Sequence, residues 1–158
     1  MKIKEKVFVT NNFEETQKLG ENFARSLLAS PQGETSNVIT LYGELGSGKT
    51  TFVHGLAEGL GIKQRIISPT FILVRKYKIP ISHQPLTISH LYHIDLYRLE
   101  ENVEAEVRNL GLEEIWQNPE NIVVIEWAEK IKGLISGAAT WIKFENLGED
   151  ERRIKVKR

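Results

Sequence analysis

The spacing of apolar residues near the start of the chain predicts a strand followed by a helix. Val7-Phe8-Val9 ends the strand, and the apolar positions between Phe13 and Leu28 recur at roughly helical spacing. A polar residue at 10–12 can cap this helix, because its side chain can accept a hydrogen bond from a backbone N–H group at the helix start. Ser30-Pro31-Gln32-Gly33 is expected to end the helix.

The middle of the chain alternates between strand and helix patterns. Asn37 to Tyr42 is predicted to form a buried strand, and Thr51 to Leu60 is predicted to form a helix. Two β-rich runs follow, Thr70 to Ile79 and Leu86 to Asp95, with a proline-containing turn region between them. These two runs are expected to pair as antiparallel strands.

The last third of the chain returns to helix and then strand. Glu100 to Leu110 and Leu112 to Gln117 favour helices, with a glycine as the break between them. Ile122-Val123-Val124-Ile125 is a continuous apolar run rich in β-branched residues, typical of a strand buried on both faces inside a parallel sheet. Residues 139–145 and 152–157 are expected to form two closing strands around a polar turn.

A phosphate-binding motif lies between the strand at 37–42 and the helix that follows. Gly43-Glu44-Leu45-Gly46-Ser47-Gly48-Lys49-Thr50 matches G-x-x-x-x-G-K-[ST]. The glycines let backbone N–H groups wrap closely around phosphates, Lys49 reaches the terminal phosphates, and the Thr50 hydroxyl can bind Mg²⁺. The dipole of the following helix attracts the same anion. The motif and its flanks therefore predict that the chain binds ATP or GTP with magnesium.

Two acidic residues are predicted at the carboxyl ends of strands, where ligands bind in open α/β sheets. Glu126 directly follows the run 122–125, at the place where a phosphate-loop protein carries the acid that holds Mg²⁺. Asp95 ends another predicted strand, in which a period of two puts His93, Asp95 and Tyr97 on one face. We expect Glu126 to hold Mg²⁺ or position water. Asp95 either faces the nucleotide or caps a turn.

Three further residues each have two open interpretations. His93 either orients Asp95 or fills the core, because no second His or Cys lies at metal-ligand spacing. Thr70, in Ser68-Pro69-Thr70-Phe71, either senses the terminal phosphate as a switch threonine or belongs to a plain turn. Trp127 either covers the site or simply packs.

Two groups of cations also have open roles. The first is the C-terminal group, Arg152, Arg153, Lys155, Lys157 and Arg158. This group can contact RNA phosphate, although charge that protects a solvated edge strand is the favoured interpretation. The second is a set of candidate arginine fingers, Arg65, Arg75 and Arg98. A partner protein is an equally good source of such a finger.

Composition narrows the class of protein. The 158 residues predict a single domain over 1–158. The absence of cysteine excludes disulfides and thiolate chemistry and fits a reducing cytosol. Lys plus Arg equals Asp plus Glu at 21 each, so the overall charge indicates neither a nucleic-acid nor a membrane partner. No stretch approaches the roughly 18 apolar residues of a membrane span, and we expect a soluble cytoplasmic protein.

Four motifs, in this order and spacing, closely resemble the TsaE (YjeE) family: Gly43 to Thr51, Ser68-Pro69-Thr70-Phe71, His93-Ile94-Asp95-Leu96-Tyr97-Arg98 and Ile125-Glu126-Trp127-Ala128-Glu129. The resemblance covers nearly the whole chain. With the order of elements, it implies an α/β fold of the three-layer P-loop NTPase type, with a central mostly parallel sheet, antiparallel edge strands and flanking helices. The connection from Lys78 to Thr87 looks longer than is usual in the family.

The resemblance also implies a function. It predicts a small bacterial ATPase that uses ATP and Mg²⁺ and works with the TsaD and TsaB proteins. That machinery forms threonylcarbamoyladenosine beside the anticodon of tRNA, and the tRNA is acted on through the complex rather than bound tightly by this chain alone.

The resemblance assigns roles residue by residue. Lys49 and the loop backbone bind phosphates, Thr50 and Glu126 hold Mg²⁺, Asp95 is needed for hydrolysis, and Thr70 is the switch-like threonine. Ser47 stands where alanine is commoner in the family, and we expect it to contribute only its backbone. The residues assigned to nucleotide binding are Thr10, Asn11, Leu45, Gly46, Ser47, Gly48, Lys49, Thr50 and Thr51.

Two alternative functions stay open. The first is a small-molecule kinase with the same loop, although no Arg-rich insertion of the kind that forms a kinase lid follows the acidic strand. The second is a non-catalytic module in which nucleotide binding controls assembly with a partner. On the ATPase hypothesis, the lack of an obvious arginine finger predicts slow hydrolysis by the isolated chain.

Overall fold

Seven strands form one mixed sheet in the computed structural model, which describes residues 3–30, 36–80 and 87–158. The strands are β1 (Glu5–Thr10), β2 (Val38–Gly43), β3 (Val74–Lys78), β4 (His90–Asp95), β5 (Asn121–Glu126), β6 (Thr140–Asn146) and β7 (Arg152–Lys157). The helices are α1 (Phe13–Ala29), α2 (Lys49–Gly59), α3 (Val103–Asn109), α4 (Leu112–Gln117) and a 3-10 helix (Ala128–Ile131).

The strand order is β1-β7-β6-β2-β5-β4-β3. The four central strands, β6, β2, β5 and β4, are parallel, whereas β3, β7 and β1 join through antiparallel pairings. The expected parallel centre with antiparallel margins is therefore confirmed. One expectation is wrong: β7 is not an edge strand, because β1 pairs along its whole length, with Phe8 opposite Ile154.

Helices cover both faces of the sheet, which confirms the expected three layers. On one face α1 and α2 pack over Ile39 and Phe144, and on the other α3, α4 and the 3-10 helix pack over Ile94 and Ile125. Strand β5 contributes to both faces, because residues 122–125 alternate between the two apolar clusters and all six residues of the strand are buried. A sheet covered on both faces requires such a continuous apolar strand at its centre.

Some element boundaries match the sequence prediction and others differ. Asn12, one of the three residues predicted to cap α1, is its cap, because its side chain accepts a hydrogen bond of 2.8 Å from the Glu15 N–H. The strand predicted from Thr70 begins only at Val74. Residues 69–73 instead form a turn, and Leu73 has a φ of 74° in the left-handed region. The proline-containing turn predicted between the two runs lies largely in 81–86, outside the described residues.

Helices α1 and α2 approach each other closely enough to require glycine. A Cβ atom on Gly55 would lie 1.8 Å from the carbonyl oxygen of Gln17, and one on Gly20 would lie 2.2 Å from that of Phe52. Because these neighbours are backbone atoms within helices, a side chain could be accommodated only by moving one helix away from the other. The contact fixes the position of α2, whose first turn carries the phosphate-binding lysine.

No helix among the described residues is long and apolar enough to cross a membrane.

We predict that Gly55→Ala lowers the free energy of unfolding by roughly 2 kcal/mol, because the added methyl group overpacks the contact between α1 and α2. Chemical denaturation measures this change. Gly137→Ala is the matched control, since a Cβ at Gly137 meets no atom within 4 Å. Equal stability of the two variants would contradict the close approach of the helices.

Candidate nucleotide-binding site

A cavity of about 330 Å³ opens at the carboxyl ends of the central strands. Its walls come from the phosphate loop, the start of α1, the ends of β4 and β5, and the turn between β6 and β7. This is the edge of an open α/β sheet at which ligands bind. The predicted site residues that line it are Leu45, Gly46, Ser47, Gly48, Lys49, Thr50, Thr51, Thr70, Asp95 and Glu126.

Thr10 and Asn11, which were expected to reach the nucleotide base, do not line this cavity in the structure. The Thr10 hydroxyl is buried and lies 2.7 Å from the hydroxyl of Thr16. The Asn11 backbone and side chain both donate to Glu15. The residues of this segment that do line the cavity are Asn12, Phe13 and Thr16.

The phosphate loop has the backbone shape that its glycines predict. Gly46 and Gly48 have φ values of 74° and 99°, in the left-handed region that other residues rarely adopt. Gly48 is also the N-cap of α2, so the helix begins at Lys49, two residues earlier than predicted. The loop therefore leads directly into a helix N-terminus, where free N–H groups and the helix dipole favour an anion.

Lys49 folds back onto its own loop. Its ammonium donates to the carbonyl oxygens of Gly43 and Glu44, at 2.7 and 2.8 Å, and lies 3.3 Å from the Ser47 hydroxyl. The Ser47 side chain is thus part of the site, although the sequence predicted a backbone contribution only. Burial lowers the pKa of the Lys49 ammonium, although nearby carboxylates, Glu126 first among them, act in the opposite direction.

Glu126 joins the phosphate loop to the core of the sheet. The Thr50 hydroxyl donates to its two carboxylate oxygens, at 3.1 and 3.4 Å, and His93 Nε2 lies 2.8 Å from one of them. His93 is fully buried, so it does fill the core, but the acid that it orients is Glu126 rather than Asp95. Burial lowers the pKa of the neighbouring His54, and His93 lowers it further.

The Thr50 and Glu126 oxygens fit Mg²⁺. Magnesium prefers hard oxygen ligands and usually keeps several waters, so a hydroxyl and a carboxylate are a sufficient protein contribution. The described residues contain no cluster of three or more His, Cys, Asp or Glu side chains that could form an all-protein metal cage.

Asp95 lies beside Glu126 with a separate set of donors. The Thr70 hydroxyl donates to Asp95 Oδ2 at 2.8 Å, and the Tyr97 N–H donates to Oδ1 at 2.9 Å. Ser68 is a weaker donor at 3.4 Å. Thr70, which was expected to sense a terminal phosphate or to belong to a turn, thus sits in a turn and contacts the acidic residue.

Trp127 both covers the site and packs. It lines the cavity, and its ring centre lies 4.3 Å from the Lys49 ammonium and 5.2 Å from the Tyr97 ring centre. Its φ of 61° is unfavourable for a bulky residue, so the surrounding contacts must hold this backbone conformation in place.

Arg152 lies at the site, although the sequence analysis placed it only in the C-terminal cation group and gave it no role at the phosphate loop. Its guanidinium donates to the carbonyl oxygen of Gly46 in the phosphate loop, at 3.2 Å, and to three carbonyl oxygens of the turn between β6 and β7. The sequence pattern of β7 could have indicated this position. In a period of two, Arg152 shares a face with the buried Ile154 and Val156, whereas Arg153 lies on the opposite face.

The three arginines proposed as fingers do not line this cavity. Arg98 instead stacks over Phe71, with 4.5 Å from the guanidinium carbon to the ring centre. Arg75 lies on β3 opposite His93, and its Nε atom is buried without a hydrogen-bond partner among the described residues. Among the residues that the structure describes, Arg152 is accordingly the arginine that lines the cavity.

We predict that Arg152→Ala weakens Mg-ADP binding by roughly tenfold, because the phosphate loop loses a charge-assisted hydrogen bond worth about 1.5 kcal/mol. Titration with a fluorescent ADP analogue measures the dissociation constant. Arg153→Ala is the control, since Arg153 lies on the other face of β7 and pairs with Glu145. Equal losses in the two variants would show that Arg152 has no specific role in holding the loop.

Comparison with known proteins identifies the family. Residues 10–154 match the family model described as threonylcarbamoyl adenosine biosynthesis protein TsaE. A relative from Bacillus subtilis, named tRNA threonylcarbamoyladenosine biosynthesis protein TsaE, is 35% identical over 145 residues, which are 92% of this chain and 80% of the relative. A relative of the same name from Nostoc sp. is 42% identical over 132 residues, covering 80% of this chain and 69% of the relative.

A solved structure is also similar. The crystal structure of YdiB from Bacillus subtilis superposes with a TM-score of 0.73 at 31% identity, covering 99% of this chain and 87% of that chain. The expected P-loop NTPase fold is thereby confirmed. The family model spans most of the sequence and the relatives exceed 30% identity over most of their length, so this chain belongs to the TsaE family of threonylcarbamoyl adenosine biosynthesis proteins.

Proposed function

We propose that the protein is an ATPase that binds and hydrolyses Mg-ATP to support the TsaD–TsaB complex in forming threonylcarbamoyladenosine next to the anticodon of tRNA. The observation that carries the hydrolytic part is the position of two carboxylates at the phosphate loop. Asp95 and Glu126 are directly opposite each other in the pairing of β4 with β5, and both line the cavity. The second acid gives the site a carboxylate in addition to the one that would hold the metal.

The contacts support different roles for the two acids. Glu126 is the proposed magnesium ligand, because it already shares a hydrogen bond with the Thr50 hydroxyl. When bound, Mg²⁺ would neutralise charge on the β- and γ-phosphate oxygens. His93 Nε2 contacts the same carboxylate at 2.8 Å, which restricts its orientation before the ion binds.

Asp95 is the proposed residue that positions the attacking water. Its two oxygens accept hydrogen bonds from Thr70 and from the Tyr97 backbone, which fix the direction of the carboxylate. Thr70 lies within the cavity and can exchange its bond to Asp95 for one to the nucleotide. In phosphoryl transfer such positioning and charge stabilisation provide most of the catalysis.

Two observations support the proposed partners: the family to which the chain belongs, and the lack of a free arginine among the described residues that line the cavity. Arg152 lies at the cavity but uses its donors on backbone carbonyls of the loop and the adjacent turn, so it is not free to act as a finger. An arginine finger contributes roughly 10³ to 10⁵ in rate. We therefore propose that the chain is slow alone and that the TsaD–TsaB complex completes or activates the site. The tRNA is reached through that complex, in the cytoplasm.

We predict that Lys49→Ala and Glu126→Ala each reduce ATP hydrolysis at least 100-fold, because the first removes the phosphate-binding cation and the second removes the acid for Mg²⁺. Phosphate release in the presence of the partner proteins is the measurement. Lys143→Ala, which alters an exposed ion pair with Glu145, is the control. Full activity of either site variant would refute the assignment.

We further predict that adding TsaD and TsaB raises the rate of phosphate release at least tenfold over the chain alone. Asp95→Asn should bind Mg-ADP normally but show no stimulation, since the proposed water-positioning carboxylate is lost while the loop is intact. Binding without phosphate release, even with the complete complex, would favour the non-catalytic assembly switch. Transfer of phosphate to a small molecule would favour the kinase.

A further inference from the structure

The Lys130 ammonium is enclosed by main-chain oxygens in the segment that follows β4. It donates to the carbonyl oxygens of Leu96, Tyr97 and Leu99, at 3.1, 2.9 and 2.8 Å. An ammonium has three N–H donors, so these three carbonyls account for its full hydrogen-bonding capacity. A lysine on a solvated surface would donate some of these hydrogen bonds to water. The Lys130 ammonium donates all three to the short segment 96–99.

Two aromatic rings complete the surroundings of the ammonium. The Tyr97 ring centre lies 6.0 Å from the nitrogen and the Trp127 ring centre lies 5.7 Å from it. These distances fall within the range of cation–π attraction. The same Trp127 ring lies 4.3 Å from the Lys49 ammonium, so one indole contacts both the phosphate-loop lysine and Lys130.

The segment held by Lys130 is the one that orients Asp95. The Tyr97 N–H donates to Asp95 Oδ1 at 2.9 Å, and the Leu96 N–H donates to the carbonyl oxygen of Glu126 at 3.2 Å. The carbonyls of these two residues point to Lys130, whereas their N–H groups point to the two acidic strand ends. The peptide planes of the segment are thus fixed from both sides.

We propose that Lys130 is a positioning residue for the Asp95 carboxylate, acting through the backbone of residues 96–99. This inference rests on the proposed hydrolytic role of Asp95. Without the ammonium, the Tyr97 and Leu99 carbonyls would lose this donor, and the Leu96 carbonyl would keep only the Leu99 N–H, at 3.1 Å. Repulsion among these carbonyl dipoles would then rotate the peptide planes. The Tyr97 N–H would then turn away from Asp95 Oδ1, and the carboxylate would lose one of the two donors that fix its direction.

The position of Lys130 in sequence explains how it connects the two acids. It lies in the 3-10 helix that begins one residue beyond Trp127, and its own N–H donates to the Trp127 carbonyl at 3.2 Å. The helix is therefore a direct continuation of the strand that ends in Glu126, while its lysine side chain crosses to the segment after β4. Lys130 sets the geometry of Asp95 relative to Glu126.

The test compares Lys130→Met, which keeps the aliphatic chain and removes the donors, with Lys130→Arg and the control Lys132→Met. Lys132 lies at the end of the same 3-10 helix and lines a separate cavity. We expect Lys130→Met to lower kcat for ATP hydrolysis, measured with the partner proteins, by roughly 10- to 100-fold, because small misplacement of a positioning group has effects of this size. Mg-ADP affinity should be unchanged, since the phosphate loop is untouched.

Lys130→Arg should recover most of the rate, because a guanidinium also supplies several donors, and Lys132→Met should behave as the unaltered protein. An unchanged kcat in Lys130→Met would overturn the proposal. So would a parallel loss of kcat, nucleotide affinity and thermal stability, which would indicate a purely structural role.

Hydrogen exchange separates this proposal from the proposed ATPase function. The Tyr97 amide should exchange at least tenfold faster in Lys130→Met than in Lys132→Met, in the absence of nucleotide, because its bond to Asp95 is weakened. If the unaltered chain hydrolyses no ATP in any condition, the ATPase proposal fails, and the exchange rate still decides whether Lys130 holds the segment. Equal Tyr97 exchange in the two variants would overturn the role of Lys130 whatever the ATPase rate.

Discussion

The parallel pairing of β4 with β5 sets Asp95 directly opposite Glu126, and the rest of the site is arranged around this pair of acids. Two neighbouring carboxylates repel each other and are costly to bury unless each is separately hydrogen-bonded. The structure meets that requirement with different donors for each acid: a histidine and the Thr50 hydroxyl for Glu126, and a second threonine and a backbone N–H for Asp95. The Lys49 ammonium adds positive charge that faces both acids.

The elements that the sequence predicted best are those whose signal is local. The phosphate loop is recognisable because each residue type in its motif has a specific function in binding phosphate. Strand β5 is recognisable because burial on both faces requires an unbroken apolar run. The position of each acid at the end of a strand was also predictable, because periodicity locates strand ends. These features needed no knowledge of which strands are neighbours.

The features that were missed depend on strand order or on contacts between distant segments. Arg152 joins the site only because β7 lies inside the sheet beside β6, which brings the start of β7 to the phosphate loop. His93 was matched with the acid on its own strand, whereas the register between β4 and β5 brings it to Glu126 instead. Strand β3 begins four residues later than predicted because Leu73 adopts a left-handed backbone conformation. Leucine rarely adopts this conformation, so the sequence does not indicate a turn there.

The close glycine contact between α1 and α2 makes the two walls of the cavity different in how they are held. The phosphate loop leads into α2, the rest of this wall is the start of α1, and the two helices touch backbone to backbone. The opposite wall consists of short segments after β4 and before β3, which are held by single hydrogen bonds from side chains and from the backbone. One side of the cavity is therefore tied to a backbone-to-backbone contact between helices, whereas the other side depends on single hydrogen bonds to short segments, so substitutions on the two sides should have different structural costs.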